Sequence, residues 1–155
     1  MRLPLKLARS DRSPGTVFGT QAASDWLPVT QEQIDAFARA TGDHQWIHKA
    51  KVEPGEGPFS GPIVHGLLLV ALAINQARES GALREGTWVL YGFDKLRFRA
   101  PVHSGDHIRC MTEIRDVQQL GARQLLNVRF VIEVAGGKIP ALTTNCLLLR
   151  LDREA

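Results

Sequence analysis

Cysteine is scarce: Cys110 and Cys146 are the two in 155 residues, too few and too far apart to staple a small scaffold or form a CxxC or zinc-binding pair. Each sits in an apolar stretch and reads as a reduced thiol of the core. A long hydrophobic run is also missing. The longest, Leu67 to Ile74, falls far short of the ~18 residues that span a bilayer. The opening MRLPLKLARS is basic, yet it has neither the apolar region nor the small-residue cleavage site of a secretory signal. No internal repeat and no low-complexity tract appears. With 44% apolar and 23% charged residues, the composition excludes a disordered chain and fits one compact domain with a core of its own. A soluble, cytoplasmic protein is expected.

Charge is also missing where a nucleic-acid binder would need it. Arg2, Lys6, Arg9 and Arg12 against Asp11 give residues 1–15 the whole of the +3 net charge, so the remainder of the chain is neutral. A protein that reads phosphates of DNA or RNA concentrates positive charge on its folded domain. The sequence therefore divides into a basic N-terminal arm, residues 1–15, and a single domain, residues 16–155, with no nucleic-acid or membrane partner.

What is present begins with a weakly signalled strand at Thr16 to Thr20. Thr30 and Gln33 then form a capping box, and Val29 is placed to staple against Ile34. Ile34, Phe37 and Thr41 follow at helical spacing, and Gly42 is a suitable stop. From Gly42 to Gly66 the density of Gly and Pro forbids any long periodic element, and a connection of that length inside a domain is usually functional or mobile. Leu67 to Ser80 reads as a second helix capped by Gly81. Its first eight residues are apolar all round, which predicts enclosure on every side.

Beyond it the period changes to two. Leu96 and Phe98 alternate with Lys95, Arg97 and Arg99; Ile108, Cys110, Thr112 and Ile114 alternate with Arg109, Met111, Glu113 and Arg115; Leu126 to Val134 and Ala141 to Leu151 continue the pattern. Short turns between long strands predict an antiparallel meander. The expected architecture is α+β, a curved antiparallel sheet wrapped around a central buried helix, the arrangement called a hot-dog fold.

Two segments carry chemistry. In Gly42-Asp43-His44-Gln45-Trp46-Ile47-His48, a carboxylate and an imidazole five residues apart follow a helix end, a pair suited to holding a water and moving its proton. Spacing alone also fits an Asp capping a turn and a His bonded within a loop. In Phe59-Ser60-Gly61-Pro62-Ile63-Val64-His65-Gly66, the chain enters the second helix. The unpaired N–H groups there can polarise a carbonyl, and Gly66 would let a ligand oxygen approach. Equally, Gly66 reads as a residue that simply lets a crowded helix start. His65 reads as a helix-entry residue whose imidazole satisfies local backbone. The five histidines include no HxH or HExxH pattern, so no metal is expected, and Ser80 and Ser104 lack the GxSxG context of a serine hydrolase.

Ala40 to His48 resembles the hydratase 2 motif of the MaoC-like dehydratases, which include the (R)-specific enoyl-CoA hydratases, and its wording is most similar to the nodulation-protein-N-like branch. Gly57 to Gly66, Lys95 to Val102 and Gly105-Asp106 resemble further segments of that branch in the same order, so the resemblance spans Val29 to Leu151. It implies hydration of a trans-2-enoyl thioester to an (R)-3-hydroxyacyl thioester, or the reverse, with no cofactor. Asp43 and His48 would hold the water, Gly66 N–H would receive the thioester oxygen, and Ser60, Gly61 and His65 would lie against the substrate. Lys49-Ala50 departs from the branch's usual Val-Asp, and Asp94 stands where Asn is usual. Ser60 replaces a Gly and reads either as a donor to Asp43 or as a simple turn residue. The substrate would be an acyl thioester of coenzyme A or acyl carrier protein; Lys49, Lys51, Arg84, Lys95, Arg97 and Arg99 could meet phosphates of either, although each taken singly reads better as ordinary solvated surface. Other readings are a hot-dog acyl-CoA thioesterase and a non-catalytic acyl-thioester-binding module. A homodimer is expected, because one sheet edge and part of the helix are left without cover.

Overall fold

The first helix, α1, runs Gln31–Thr41 and begins where the sequence says it should. Thr30 Oγ1 accepts from Gln33 N–H, and Gln33 Oε1 accepts from Thr30 N–H, closing the capping box. Val29 and Ile34 are both fully buried beneath this first turn. Gly42 ends the helix with φ 76°, a left-handed conformation that glycine adopts without penalty, and its N–H returns to the Ala38 carbonyl at 2.9 Å. Thr41 faces outward instead of joining the apolar side, its hydroxyl turned back to the Phe37 carbonyl.

The computed structural model describes residue 19 and residues 21–50, 58–83, 86–121 and 123–151. The basic arm, the strand expected at Thr16 to Thr20 (apart from Gly19), and Lys51 and Arg84 lie outside the described residues. Among the described residues six strands are formed: β1 (Gln21–Ala23), β2 (Leu27–Pro28), β3 (Thr87–Phe98), β4 (His107–Leu120), β5 (Arg123–Val134) and β6 (Leu142–Leu151). All pairings are antiparallel, in the order β1-β4-β5-β6-β3, with β2 also on β4. Consecutive strands β4, β5 and β6 form the expected meander. Strand β3 does not: it lies beyond β6, at the far edge. The connection after Phe98 explains this. It runs past the second helix, with Val64 N–H bonded to Val102 O and a bridge between Ile63 and His103, and so delivers the chain to the opposite side of the sheet. Register shifts in β3 and β4 mark the bulges that bend the sheet.

The second helix, α2, spans Gly66–Glu79 against the concave face. Leu68, Leu69, Val70, Ala73 and Ala77 meet Ile108, Ile114, Leu126, Val128, Phe130 and Leu148 in one core. Each large side chain fully removed from water there contributes about 1.5–3 kcal/mol. Cys110 and Cys146 are buried free thiols in the same core, and burial pushes them up to about 11 and about 12. The expectation that α2 is enclosed on every side is corrected. Leu67 is 64% exposed and Ala71 is exposed, because a single curved sheet covers only one side of a helix. No helix among the described residues is long and apolar enough to cross a membrane.

Candidate active site

Gly42 turns the chain sharply at the end of α1, and Asp43 is the first residue past that turn. Its carboxylate oxygen Oδ1 accepts from the Gln45 side-chain amide at 2.9 Å and from Gln45 N–H at 3.4 Å. The Gln45 amide is the main reason its carboxyl is held below the usual carboxylate range. Partial desolvation opposes the shift, and the Gln45 N–H, His48 and His65 add to it. A short 3-10 helix, Trp46–His48, then carries His48 inward to 7% exposure.

There His48 meets the segment entering α2. Its Nδ1–H donates to the Ile63 carbonyl at 2.7 Å, and because a carbonyl can only accept, the tautomer is fixed. In the neutral ring Nε2 then keeps its lone pair, and it has no partner among the described residues. Ile63 N–H bonds Ile47 O at 2.8 Å, and the Gln31 side chain donates to His48 O at 2.8 Å, so the loop is tied to both helices. His65 caps α2 by position. Its Nε2–H donates to the backbone carbonyl of Asp43 at 3.1 Å, and its ring stacks on His48 with centroids 3.6 Å apart. Thus the two sequence segments are stitched together at the amino end of α2, where the first helical N–H groups point outward. Asp43, His44 and His48 open with Lys49 onto a cleft of about 210 Å³ beside α1.

The remaining expected residues fall as follows. His65 satisfies backbone, as its helix-entry position suggested, and at 3% exposure it offers a substrate little surface. Ser60 is not bonded to Asp43: its hydroxyl lies 3.4 Å from His103 Nε2, because the chain leaving Ser60 runs beside the β3–β4 connection. Gly61 is half-buried with open space around its α-carbon. Gly66 is the first residue of α2, but the space its missing side chain leaves is taken by Phe98. A Cβ there would lie 2.8 Å from the Phe98 ring. The small residue therefore admits a side chain from β3, and its N–H remains at the helix tip.

Donor atoms of Asp43, His48 and His65 lie within 4.8 Å of one another, a grouping that no sequence spacing announced. Two of the four ring nitrogens already donate to backbone carbonyls, so the arrangement as it stands serves proton handling. Three contributors escaped the sequence reading: Gln45, Gln31 and Phe98. Gln45 and Phe98 each had a signal, since they lie inside the Ala40–His48 and Lys95–Val102 segments, whereas Gln31 had none.

The comparisons agree on one family. The model of the MaoC like domain matches residues 13–135. The chain is 35% identical over 127 residues to 3-hydroxyacyl-thioester dehydratase Z of Mycobacterium tuberculosis, covering 81% of this chain and 84% of that protein. It is 39% identical over 134 residues to nodulation protein N of Rhizobium leguminosarum bv. viciae, covering 81% of each. Its fold is similar to that of the (R)-hydratase from A. caviae involved in PHA biosynthesis, with TM-score 0.72 and 22% identity over 90% of this chain and 100% of that one.

Proposed function

The chain belongs to the MaoC-like domain family, and on that footing we propose that it is a cytoplasmic hydro-lyase of acyl-thioester metabolism, an (R)-specific enoyl-CoA hydratase or 3-hydroxyacyl-thioester dehydratase. The observation that carries this reading is the meeting of the Asp43 carboxylate and His48 at the amino end of α2, with His48 Nδ1 fixed on the Ile63 carbonyl.

Two acceptors, an Asp43 oxygen and His48 Nε2, can each take a hydrogen bond from one water. The water's lone pair is then left facing C3 of an enoyl thioester. As the oxygen bonds to C3, one water proton passes to Asp43 and negative charge moves to the thioester oxygen. The Gly66 N–H and the positive end of α2 stabilise that enolate. The proton held by Asp43 then passes to C2 of the enolate, which leaves Asp43 ionised again, so one water has been added and no charge is left over. A carboxyl held low is ionised at neutral pH, which is the state a base for hydration needs. His65 acts as a positioning residue beneath His48 and Asp43.

A homodimer is part of the same proposal. Strand β3 has no neighbour on its outer side among the described residues, and Val89, Leu90 and Tyr91 on it are all exposed, as is Leu67 on α2. Apolar groups on an open edge favour association.

Crotonyl-CoA tests the activity. The purified chain is expected to remove the conjugated-enone absorbance and yield (R)-3-hydroxybutyryl-CoA. Release of free thiol would identify a thioesterase, and acyl-thioester binding without either reaction would identify a binding module. Each of these results rejects the hydratase.

A further inference from the structure

The outer face of the sheet, turned away from α2, holds a cleft of about 410 Å³ that the catalytic site does not use. Its charged lining is of one sign: Lys95, Arg97 and Arg99 from the β3 end, Arg115 from β4 and Arg129 from β5. These residues reach that face by strand alternation. Arg129 lies between the fully buried Val128 and Phe130, and Arg115 follows buried Ile114. Among the described residues, ion pairing relieves only Arg115, held by Glu113 at 2.9 Å. Arg97 and Arg99 have neutral partners, the Leu96 carbonyl and the Thr143 hydroxyl. Such crowding of cations costs stability unless an anion visits. Hydroxyl and amide groups of Thr143 and Asn145 stand among the guanidinium groups, a mixture suited to phosphate oxygens, which arginine grips in bidentate fashion.

The backbone itself is bent to make this cleft. Between Asp94 and Arg97 the β3–β6 register shifts, and Lys95 within that bulge has φ 54°. It is the one non-glycine residue at positive φ among the described residues. A lysine in that region is strained, and strain of this kind persists where a side chain must be aimed. Phe98, lying between Arg97 and Arg99 in sequence, rests on Gly66 at the tip of α2. One strand end therefore joins the cationic cleft to the helix terminus of the catalytic site.

From these features, and resting on the hydratase reading above, the geometry points to the cleft as the seat of the phosphate groups of a coenzyme A thioester. Its flexible arm passes round the end of β3 to bring the thioester to Gly66. The carrier is then a nucleotide, not an acidic carrier protein.

The test compares crotonyl-CoA with crotonyl-pantetheine, which has the same reacting end and no phosphates. Arg97→Gln and Arg129→Gln, made separately, are expected to lower the ratio of kcat/KM for the CoA ester over the pantetheine ester at least tenfold. Arg109→Gln, outside the cleft and paired with Glu133, leaves that ratio where it was. An unchanged ratio in both cleft variants overturns the proposal, as does a loss confined to an acyl-carrier-protein thioester. Titration of the full chain with free coenzyme A separates this from the catalytic reading. If the wild type hydrates neither ester, the hydratase fails, while at least tenfold weaker coenzyme A binding in the variants still supports the cleft and equal binding defeats it.

Discussion

At the scale of single residues, the proposed chemistry turns on how Asp43 is kept ionised and how His48 is kept in one tautomer. Asp43 relies chiefly on the Gln45 amide, so removing that amide must raise its carboxyl. Hydration needs the ionised form, and activity is lost as pH falls through the carboxyl's own value. The acid limb of kcat/KM is therefore expected below the ordinary carboxylate value of about 3.9, and Gln45→Ala is expected to move it to higher pH. A limb that stays in place in Gln45→Ala contradicts the role given to Gln45. Asp43 and His48 were legible because their spacing and the surrounding motif mark them. His65 beneath His48, and Ser60 on His103, were not, because both contacts join segments distant in the chain and depend on how the loop returns.

Among the elements, α1 was the most legible. Its two ends are local events: a capping box needs residues three apart, and a left-handed stop needs a glycine. That stop also aims Asp43. An alanine at residue 42 would meet no neighbour, so any penalty comes from backbone conformation alone. Gly42→Ala is expected to lower stability by about 1 kcal/mol, with Gly42→Asn milder because asparagine tolerates left-handed φ. Urea unfolding of the three proteins checks this, and an alanine variant as stable as the parent would contradict it. By contrast, β3 was read only at its end. Its bulges break the period of two, and exposed Val89, Leu90 and Tyr91 in succession leave no alternation to follow. The enclosure expected for α2 failed for a related reason: an all-apolar helix says that it needs cover, not whether the same chain supplies it.

For the molecule as a whole, the curved sheet around α2 was legible from periodicity. The displacement of β3 beyond β6 was not, since it is decided by a connection crossing past Ile63 and Val64. That displacement leaves β3 as an apolar edge, and this edge and the uncovered Leu67 of α2 are the two features on which the proposed homodimer rests. Light scattering at micromolar concentration is expected to give twice the chain mass, and Leu90→Lys to shift the population toward monomer. A wild-type monomer would remove the dimer from the account.

The central claim, that Asp43 and His48 together activate one water at the tip of α2, is tested most directly by crotonyl-CoA hydration in Asp43→Asn and His48→Gln. Both substitutions keep size and hydrogen-bonding capacity near the original. Each is expected to lower kcat by roughly 10²–10⁴ with the thermal unfolding midpoint little changed. Hydration at close to the parent rate in a folded Asp43→Asn protein would contradict the claim.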